Sequence, residues 1–268
     1  MQEYIKTDRV LHWLSQVLTK INRTFVPEEE DDSHTNLHFD VLGSGIYGRW
    51  ISTPSGKIIF YLDLESLSFK WMDQKRTILH EKSVLSAGLK ELEGDAGAFL
   101  AKLGKNTEGL EDPLHFELPD YGIKRLSQED ITLSGLQSWK YYRELANVAS
   151  FGLLCYLQEE SEIRIWPHHF DTGIYTDISG ELGMGFGLAM EDPMVGEPYF
   201  YLSAYGKGSS INYSRMNDLS SGRWETQSPW KGAVLPLSDL PASSKDEAMK
   251  VIGRFIKEAT SWYFKPED

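Results

Sequence analysis

The order of hydrophobic patterns along the chain constrains its fold more than any other feature. Apolar residues at three- and four-residue steps predict an amphipathic helix over residues 8–25. From His38 to Leu79 the pattern changes to short strand-like runs separated by the turns "TPSG" and "DLES". A helix is predicted over 84–103 and a loop over 104–113. The first half therefore predicts a helix, an antiparallel meander and a second helix.

The second half repeats this order of elements. Ser127 and Asp130 resemble a capping arrangement and predict the start of a long helix that ends near Gln158. Ser244 and Glu247 form an S-x-x-E capping box that predicts a final helix. Strands are predicted between these helices at 162–178, 183–190, 198–206 and 232–237.

These elements predict an α+β fold in which antiparallel sheet meanders are flanked by helices. The repeated order indicates two similar helix-meander-helix halves, at 1–110 and 120–268. The halves share no residue-level repeat, and no Pro/Ser-rich linker separates them. We therefore expect a single composite domain over residues 1–268.

Composition and charge exclude several classes of protein. The formal net charge of −13, without a Lys/Arg cluster, argues against a nucleic-acid partner. No apolar stretch is long enough to cross a bilayer, so no membrane association is expected. The N-terminus lacks the pattern of a secretory signal, and Cys155 lies in an apolar run where a buried position is expected. A cytoplasmic, acidic protein is predicted, and the oligomeric state is left open.

The stretch "RIWPHHFDTGIY" (164–175) places two histidines and an aspartate within a predicted strand. In a pleated strand His169 and Asp171 share one face, while His168 and Phe170 share the other. An imidazole and a carboxylate at this spacing can hold a divalent metal with a third ligand, or act as a base and its orienting acid. The alternative is a histidine that is simply satisfied by hydrogen bonds.

The stretch "EPYFYLSAY" (197–205) predicts a second strand with a distinctive face. Tyr199, Tyr201, Ser203 and Tyr205 alternate with apolar residues, giving a surface that suits a ligand pocket or a partner interface. A sheet that buries these tyrosines with their hydroxyls satisfied is equally compatible with the pattern. The preceding glycines at 180–187 match no phosphate-binding motif and favour a bulge or close backbone approach.

Acidic residues near the bend "EDPMVGEP" complete the candidate site. Asp192 and Glu197 could each supply a third metal ligand. The predicted metal ligands are thus His169, Asp171, Glu197 and Asp192, with a divalent metal as the possible cofactor. His169 and Asp171 are the candidate catalytic residues, and the candidate ligand-binding residues are Trp166, His168, Tyr199 and Tyr201.

The C-terminal half resembles a family of bacterial proteins of unassigned function, a domain of unknown function. That family carries W-P-E-H-F-D, a glycine-rich stretch ending in an acidic residue, P-E-P-Y-x-Y, and a tryptophan followed by G-A and a terminal helix. His168 stands where the family has glutamate. The resemblance directs attention to one cluster without implying a reaction. The matching positions are Trp166, Pro167, His169, Phe170, Asp171, Asp192, Glu197, Pro198, Tyr199 and Tyr201.

Together these observations predict a protein that binds a small molecule or a divalent metal near the WPHHFD segment. If the protein is an enzyme, hydrolysis is the expected class, with a tyrosine hydroxyl stabilising developing charge. The alternative is a non-catalytic structural or protein-interaction module, in which the same residues belong to a satisfied core or a partner surface.

Overall fold

The computed structural model describes residues 1–178, 180, 182–206, 211–242 and 244–264. In this part of the chain the protein has a mixed α+β fold, as its hydrophobic patterns predict. The helices are α1 (Gln2–Phe25), α2 (Leu89–Lys102), α3 (Leu133–Leu157) and α4 (Lys245–Tyr263). The strands are β1 (His38–Asp40), β2 (Gly45–Thr53), β3 (Gly56–Asp63), β4 (Ser68–Asp73), β5 (Ile78–Ser83), β6 (Arg164–Trp166), β7 (Asp171–Ile178), β8 (Leu182–Ala189), β9 (Tyr199–Gly206), β10 (Arg223–Glu225) and β11 (Gly232–Pro236).

The chain divides into two compact units. The N-terminal unit contains Gln2–Lys140 and Ile165–Phe170, and the C-terminal unit contains Tyr141–Arg164 and Asp171–Asp268, together with Met1. The short return of 165–170 to the N-terminal unit is fixed by backbone pairing, since Leu37 and Ile165 exchange hydrogen bonds of 3.0 and 2.7 Å. A single composite domain over the whole chain stays a prediction.

The N-terminal unit is built on a five-stranded antiparallel meander in the order β1-β2-β3-β4-β5. Helix α1 packs against β2 and β3, and its apolar residues are almost completely buried. Asn22 of α1 accepts a hydrogen bond from Arg49 N at 2.8 Å, next to a register shift in β2. Gly48 makes this approach possible, because a Cβ there would lie 2.7 Å from Asn22 Oδ1.

The C-terminal unit contains β7 to β11, which form an antiparallel sheet in the order β10-β11-β9-β8-β7, and of β6 only Arg164 belongs to this unit. Helix α4 packs against β9 and β11. Ser244 caps this helix as predicted, because its hydroxyl accepts a hydrogen bond from the Glu247 amide, whereas the Glu247 carboxylate pairs with Lys250 at 2.7 Å. One face of the sheet is apolar and fully buried, and it includes Phe186, Phe200 and Leu235.

The predicted helix boundaries differ from those observed. Helix α1 begins at Gln2 rather than at residue 8, and α2 begins at Leu89 rather than at residue 84. Helix α3 begins at Leu133, because Thr132 rather than Ser127 caps it by accepting a hydrogen bond from Gly135 N at 3.1 Å. Ser127 instead donates its hydroxyl to Asp130 at 2.7 Å within the preceding turn.

The predicted strand at 162–178 was wrong as one continuous element. Residues 167–170 form a turn between β6 and β7, closed by a 2.7 Å hydrogen bond from Phe170 N to Trp166 O. Pro167 has no amide hydrogen to donate to a strand ladder, and Phe170 adopts a φ of 55°, which no pleated strand accommodates. The side-chain alternation expected across this segment is therefore lost.

Two further features differ from the sequence prediction. Cys155 is exposed on α3 rather than buried, although it lies in an apolar run. Strand β10 was not predicted, because three residues carry too little alternation to be recognised.

Within the described residues, no helix is both long enough and apolar enough to cross a membrane.

Candidate functional site

The candidate site lies on one face of the sheet in the C-terminal unit. Strand register opposes Gly187 to both Gly173 and Tyr201, and it opposes Gly185 to both Tyr175 and Ser203. Residues that pair directly in neighbouring strands share a face. The predicted alternation of β9 is confirmed, so its tyrosines project from the face on which the glycines of β8 leave room. We call this surface the tyrosine face, and its residues are Asp171, Tyr175, Tyr199, Tyr201, Ser203 and Tyr205.

The tyrosine face depends on the absence of side chains along β8. A Cβ at Gly187 would lie 2.9 Å from the Tyr201 hydroxyl and 2.7 Å from the Thr172 carbonyl oxygen. Because Gly187 leaves this space open, the Tyr201 side chain reaches across β8 to β7. There its hydroxyl donates a 2.5 Å hydrogen bond to Asp171 Oδ2. The glycine stretch thus permits the close approach that its sequence predicts.

A second tyrosine–aspartate pair lies beside the first. The Tyr199 hydroxyl donates to Asp192 Oδ2 at 2.7 Å. The other carboxylate oxygen of Asp192 accepts hydrogen bonds from the amides of Met194 and Val195, at 2.9 and 3.0 Å. Asp192 therefore fixes the bend that follows β8 and the position of the first tyrosine of β9.

Both tyrosines of these pairs are held in the neutral, protonated form. Burial raises the pKa of Tyr201 well above its ordinary value, and the negative charge of Asp171 raises it further. Burial also raises the pKa of Tyr199, and the hydrogen bond to Asp192 acts in the same direction. Because both hydroxyl protons are donated to carboxylates, the two pairs present acceptor oxygens rather than free donors.

The outer part of the tyrosine face is open to solvent. Tyr175 and Tyr205 are 43% and 45% exposed, with ring centroids 6.1 Å apart. The Tyr205 hydroxyl accepts a 2.9 Å hydrogen bond from Ser203. Trp230 lies edge-on to Tyr201, with a centroid separation of 6.1 Å. Two exposed phenol rings therefore lie on the same face of the sheet as the two tyrosine–aspartate pairs.

The other residues predicted for the site lie elsewhere. Trp166, His168 and His169 belong to the N-terminal unit. Both histidines are exposed in the turn, and their ring centroids lie 4.2 Å apart. Glu197 accepts hydrogen bonds from the amide and hydroxyl of Ser238, at 2.9 and 2.7 Å. Glu197 therefore connects the segment before β9 to the turn after β11, and it does not join the two aspartates.

The predicted metal site does not form in the described part of the chain. No group of three or more histidine, cysteine, aspartate or glutamate side chains there is placed to hold a metal ion. The set His169, Asp171, Glu197 and Asp192 is therefore not assembled as one cluster. Asp171 and Asp192 are each paired with a neutral tyrosine, and a protonated phenol is a poor metal ligand.

Sequence reasoning missed the residue that holds the WPHHFD turn within the N-terminal unit. His12 of α1 is 1% exposed, and its Nε2 lies 2.9 Å from Pro167 O while its Nδ1 lies 2.7 Å from the Tyr121 hydroxyl. Its ring also stacks on Phe170 at 5.1 Å. The position of His12 on the buried stripe of α1 was the available signal, but nothing in the sequence identified its partners.

A buried arginine in the C-terminal unit was also missed. Arg143 of α3 is fully buried and donates to Thr172 Oγ1 at 2.8 Å. Thr172 follows Asp171 in β7, and its side chain points to the opposite face. Arg143 therefore contacts β7, the strand that contains Asp171, on the face opposite to the Asp171 side chain. The available signal was the spacing of Arg143 from Trp139 and Ala146, which places it on the buried face of α3.

Comparison of the chain with protein-family models, curated proteins and solved structures found no match.

Proposed function

We propose that this protein binds a small organic cation on the tyrosine face. The observation that carries the proposal is the Tyr201–Asp171 pair, which shares a sheet face with the exposed rings of Tyr175 and Tyr205. A carboxylate that already receives a phenol proton keeps lone pairs for an ammonium group. The rings supply the electron-rich faces that attract cations.

The charge around the site favours a cation over an anion. The charged groups that act most strongly on Tyr199 are Asp192, Asp171 and Glu225, all of them negative. A carboxylate or phosphate ligand would meet this field unfavourably. A neutral ligand would gain hydrogen bonds but no charge attraction, so we place amines ahead of sugars.

The same geometry favours binding over hydrolysis. The Tyr201 hydroxyl proton points to Asp171, so it is not available to a developing oxyanion. The raised pKa also keeps Tyr201 from acting as a phenolate nucleophile or base near neutral pH. A divalent metal is a weaker candidate for the same site, because its carboxylates are separately paired with phenols.

The proposal is tested by thermal unfolding of the full chain with four probes: putrescine, choline, glucose and succinate. A ligand present at ten times its dissociation constant stabilises a protein by about 1.4 kcal/mol. For a chain of this size, that corresponds to a rise in Tm of about 3–5 °C. We expect a saturable rise with putrescine or choline and none with succinate.

Substitution of Asp171 identifies the site. Asp171→Asn removes the charge but keeps an oxygen that can accept the Tyr201 hydrogen bond, so we expect the amine response to disappear while the fold persists. Asp246→Asn is the charge-matched control, because Asp246 is exposed in the first turn of α4 and lies outside the tyrosine face. Equal responses in the two variants, or a response to glucose alone, would rule out the proposal. No response to any probe favours a partner surface instead.

A further inference from the structure

A cleft lies in the C-terminal unit, beside the last helix. Its volume is about 490 Å³, within the range of about 300–1,000 Å³ typical of small-molecule sites. It lies among α4, β10 and the segment before β10. Its lining residues are Asn217, Asp218, Leu219, Trp224, Arg254, Lys257, Glu258, Ser261 and Trp262.

Two indole rings form a fixed aromatic wall of this cleft. The ring centroids of Trp224 and Trp262 lie 4.8 Å apart and the ring planes are inclined by 58°, so a flat ring that stacks on one indole meets the other at an angle. Trp224 donates its indole N–H to Asn217 O at 2.9 Å, and Trp262 donates to Arg215 O at 3.2 Å. Because both indole hydrogens are used inside the protein, only ring surface is offered to a ligand. A preorganised aromatic surface favours a flat ring.

Two cations of α4 line the same cleft, and the described residues include no hydrogen-bond or ion-pair partner for either. Arg254 and Lys257 are exposed and are one helical turn apart. Glu258, the natural i,i+4 partner of Arg254, accepts hydrogen bonds from the amide and hydroxyl of Ser220 at 2.8 and 2.7 Å. Among the described residues neither cation makes a hydrogen bond or an ion pair. Both cations can therefore receive an anionic group at this cleft.

Asp218 is the remaining charged group of the lining, and it disfavours a simple anion. Its carboxylate has no partner among the described residues. An acidic acceptor near an aromatic wall suits the exocyclic amino group of a nucleobase, and guanine presents two adjacent N–H donors for it. The lining thus offers a ring surface, an acceptor for base donors and two donors for a phosphate.

We propose that this cleft binds a guanine nucleoside monophosphate, with the base on Trp224 and Trp262, its amino edge toward Asp218 and its phosphate toward Arg254 and Lys257. This site is independent of the tyrosine face, and it takes an anion where that face takes a cation. The net charge of −13 opposes a long nucleic acid, so a free nucleotide is the occupant.

Isothermal titration of the full chain with guanosine monophosphate tests the assignment. We expect saturable binding that weakens as salt rises, about tenfold weaker binding of guanosine, and little binding of inorganic phosphate. Inosine monophosphate lacks only the amino group, and we expect it to bind several-fold more weakly. Absence of saturable binding, or equal affinity for guanosine and its monophosphate, would overturn the assignment.

Substitutions on α4 separate this site from general charge effects. Arg254→Gln and Lys257→Gln should each weaken the binding of guanosine monophosphate about tenfold and leave guanosine binding unchanged. Lys250→Gln is the matched control on the same helix, because Lys250 pairs with Glu247 at 2.7 Å and lies outside the cleft lining. A control that loses as much affinity as the other two variants would show that the effect comes from net charge and would end the proposal.

Discussion

His12 shows how a single buried side chain determines the geometry of a segment that the sequence presents as a strand. Its ring connects α1 to the Pro167 carbonyl and to the Tyr121 hydroxyl within the N-terminal unit. Gln16, one turn further along α1, lies 3.5 Å from the same carbonyl. The carbonyl therefore receives its hydrogen bonds from a helix rather than from a neighbouring strand.

Replacement of His12 by alanine should destabilise the protein by about 2–4 kcal/mol. The change leaves the Pro167 carbonyl and the Tyr121 hydroxyl short of a partner, at about 1–3 kcal/mol for a buried polar group, and it removes the ring that stacks on Phe170. Urea unfolding measures the loss.

The matched control is His80→Ala. His80 also pairs with one polar side chain, Asp95 at 2.7 Å, but its side chain is 31% exposed. We expect it to cost less than about 1 kcal/mol. If the two variants were equally stable, the connection between α1 and the turn would be energetically unimportant.

The sequence predicted which site residues share a face only where the strand that contains them is regular. The alternation of β9 correctly separated Tyr199 and Tyr201 from Phe200, because that strand is pleated along its whole length. The same alternation assigned His169 and Asp171 to a common face. That assignment does not apply, because residues 167–170 form a turn rather than a pleated strand. The positive φ of Phe170 depends on contacts that no local pattern encodes.

Strand β8 is distinguished by three glycines, which leave one of its faces without side chains. Its glycines at 183, 185 and 187 lie between two strands that carry tyrosines. Glycine weakens a strand interior, so a strand with three of them needs compensating contacts. The rings of Tyr175 and Tyr201 supply these contacts by lying over β8, close to where Cβ atoms of Gly183 and Gly187 would be.

Alanine substitutions along β8 should therefore have unequal effects. Gly187→Ala places a methyl group 2.7 Å from the Thr172 carbonyl oxygen and 2.9 Å from the Tyr201 hydroxyl. We expect it to destabilise the protein by about 1–3 kcal/mol and to break the Tyr201–Asp171 hydrogen bond. Thermal unfolding, together with the amine response of the tyrosine face, measures both effects.

Gly185→Ala is the matched control on the same strand and face. Its methyl group would meet Ser203, Tyr205 and Ile174 at 3.6–3.9 Å, ordinary contact distances. We expect a change in stability within about 0.5 kcal/mol. A destabilisation as large as that of Gly187→Ala would mean that any side chain disrupts β8, whatever its position.

At the element level, the sequence was informative about type and order but not about boundaries. The strand-like runs of the first half became the meander β1–β5 because they are short, rich in β-branched and aromatic residues, and separated by turns. The start of α3 was placed too early because Ser127 and Asp130 satisfy each other in a turn, while the cap is made by Thr132. Two polar groups at the right spacing cannot reveal which of them meets a helix.

For the molecule as a whole, periodicity predicted the α+β class but not the grouping of segments. The sequence indicated halves at 1–110 and 120–268, whereas the compact units divide within α3 and return 165–170 to the N-terminal unit. Hydrophobic periodicity specifies which face of an element is buried, and it leaves open which other element covers that face. The backbone pairing of Leu37 with Ile165 supplies that information.

Buried tyrosines occur in both units and make the stability of the whole chain sensitive to alkaline pH. In the N-terminal unit, burial raises the pKa of Tyr47 to about 12, and the neighbouring Tyr61 and Asp40 add to the effect. Burial also raises the pKa of Tyr121 to about 12, with a further contribution from the charge of Asp8. In the C-terminal unit the pKa of Tyr201 is raised in the same direction.

The consequence is a loss of stability that begins near pH 10. A tyrosine in the unfolded chain loses its proton near pH 10, whereas Tyr47 and Tyr121 keep theirs in the folded protein up to about pH 12. Between these values the folded state binds more protons, so rising pH favours unfolding. The stabilisation is complete below pH 10 and is lost as the pH rises through 12.

Denaturant unfolding at pH 8, 10 and 11, with phenolate absorbance as a second signal, measures this loss. Tyr121→Phe should flatten the dependence on pH, and Tyr156→Phe, at a side chain that is 53% exposed, should leave it unchanged. Identical slopes for the parent and Tyr121→Phe would mean that other groups drive the alkaline transition.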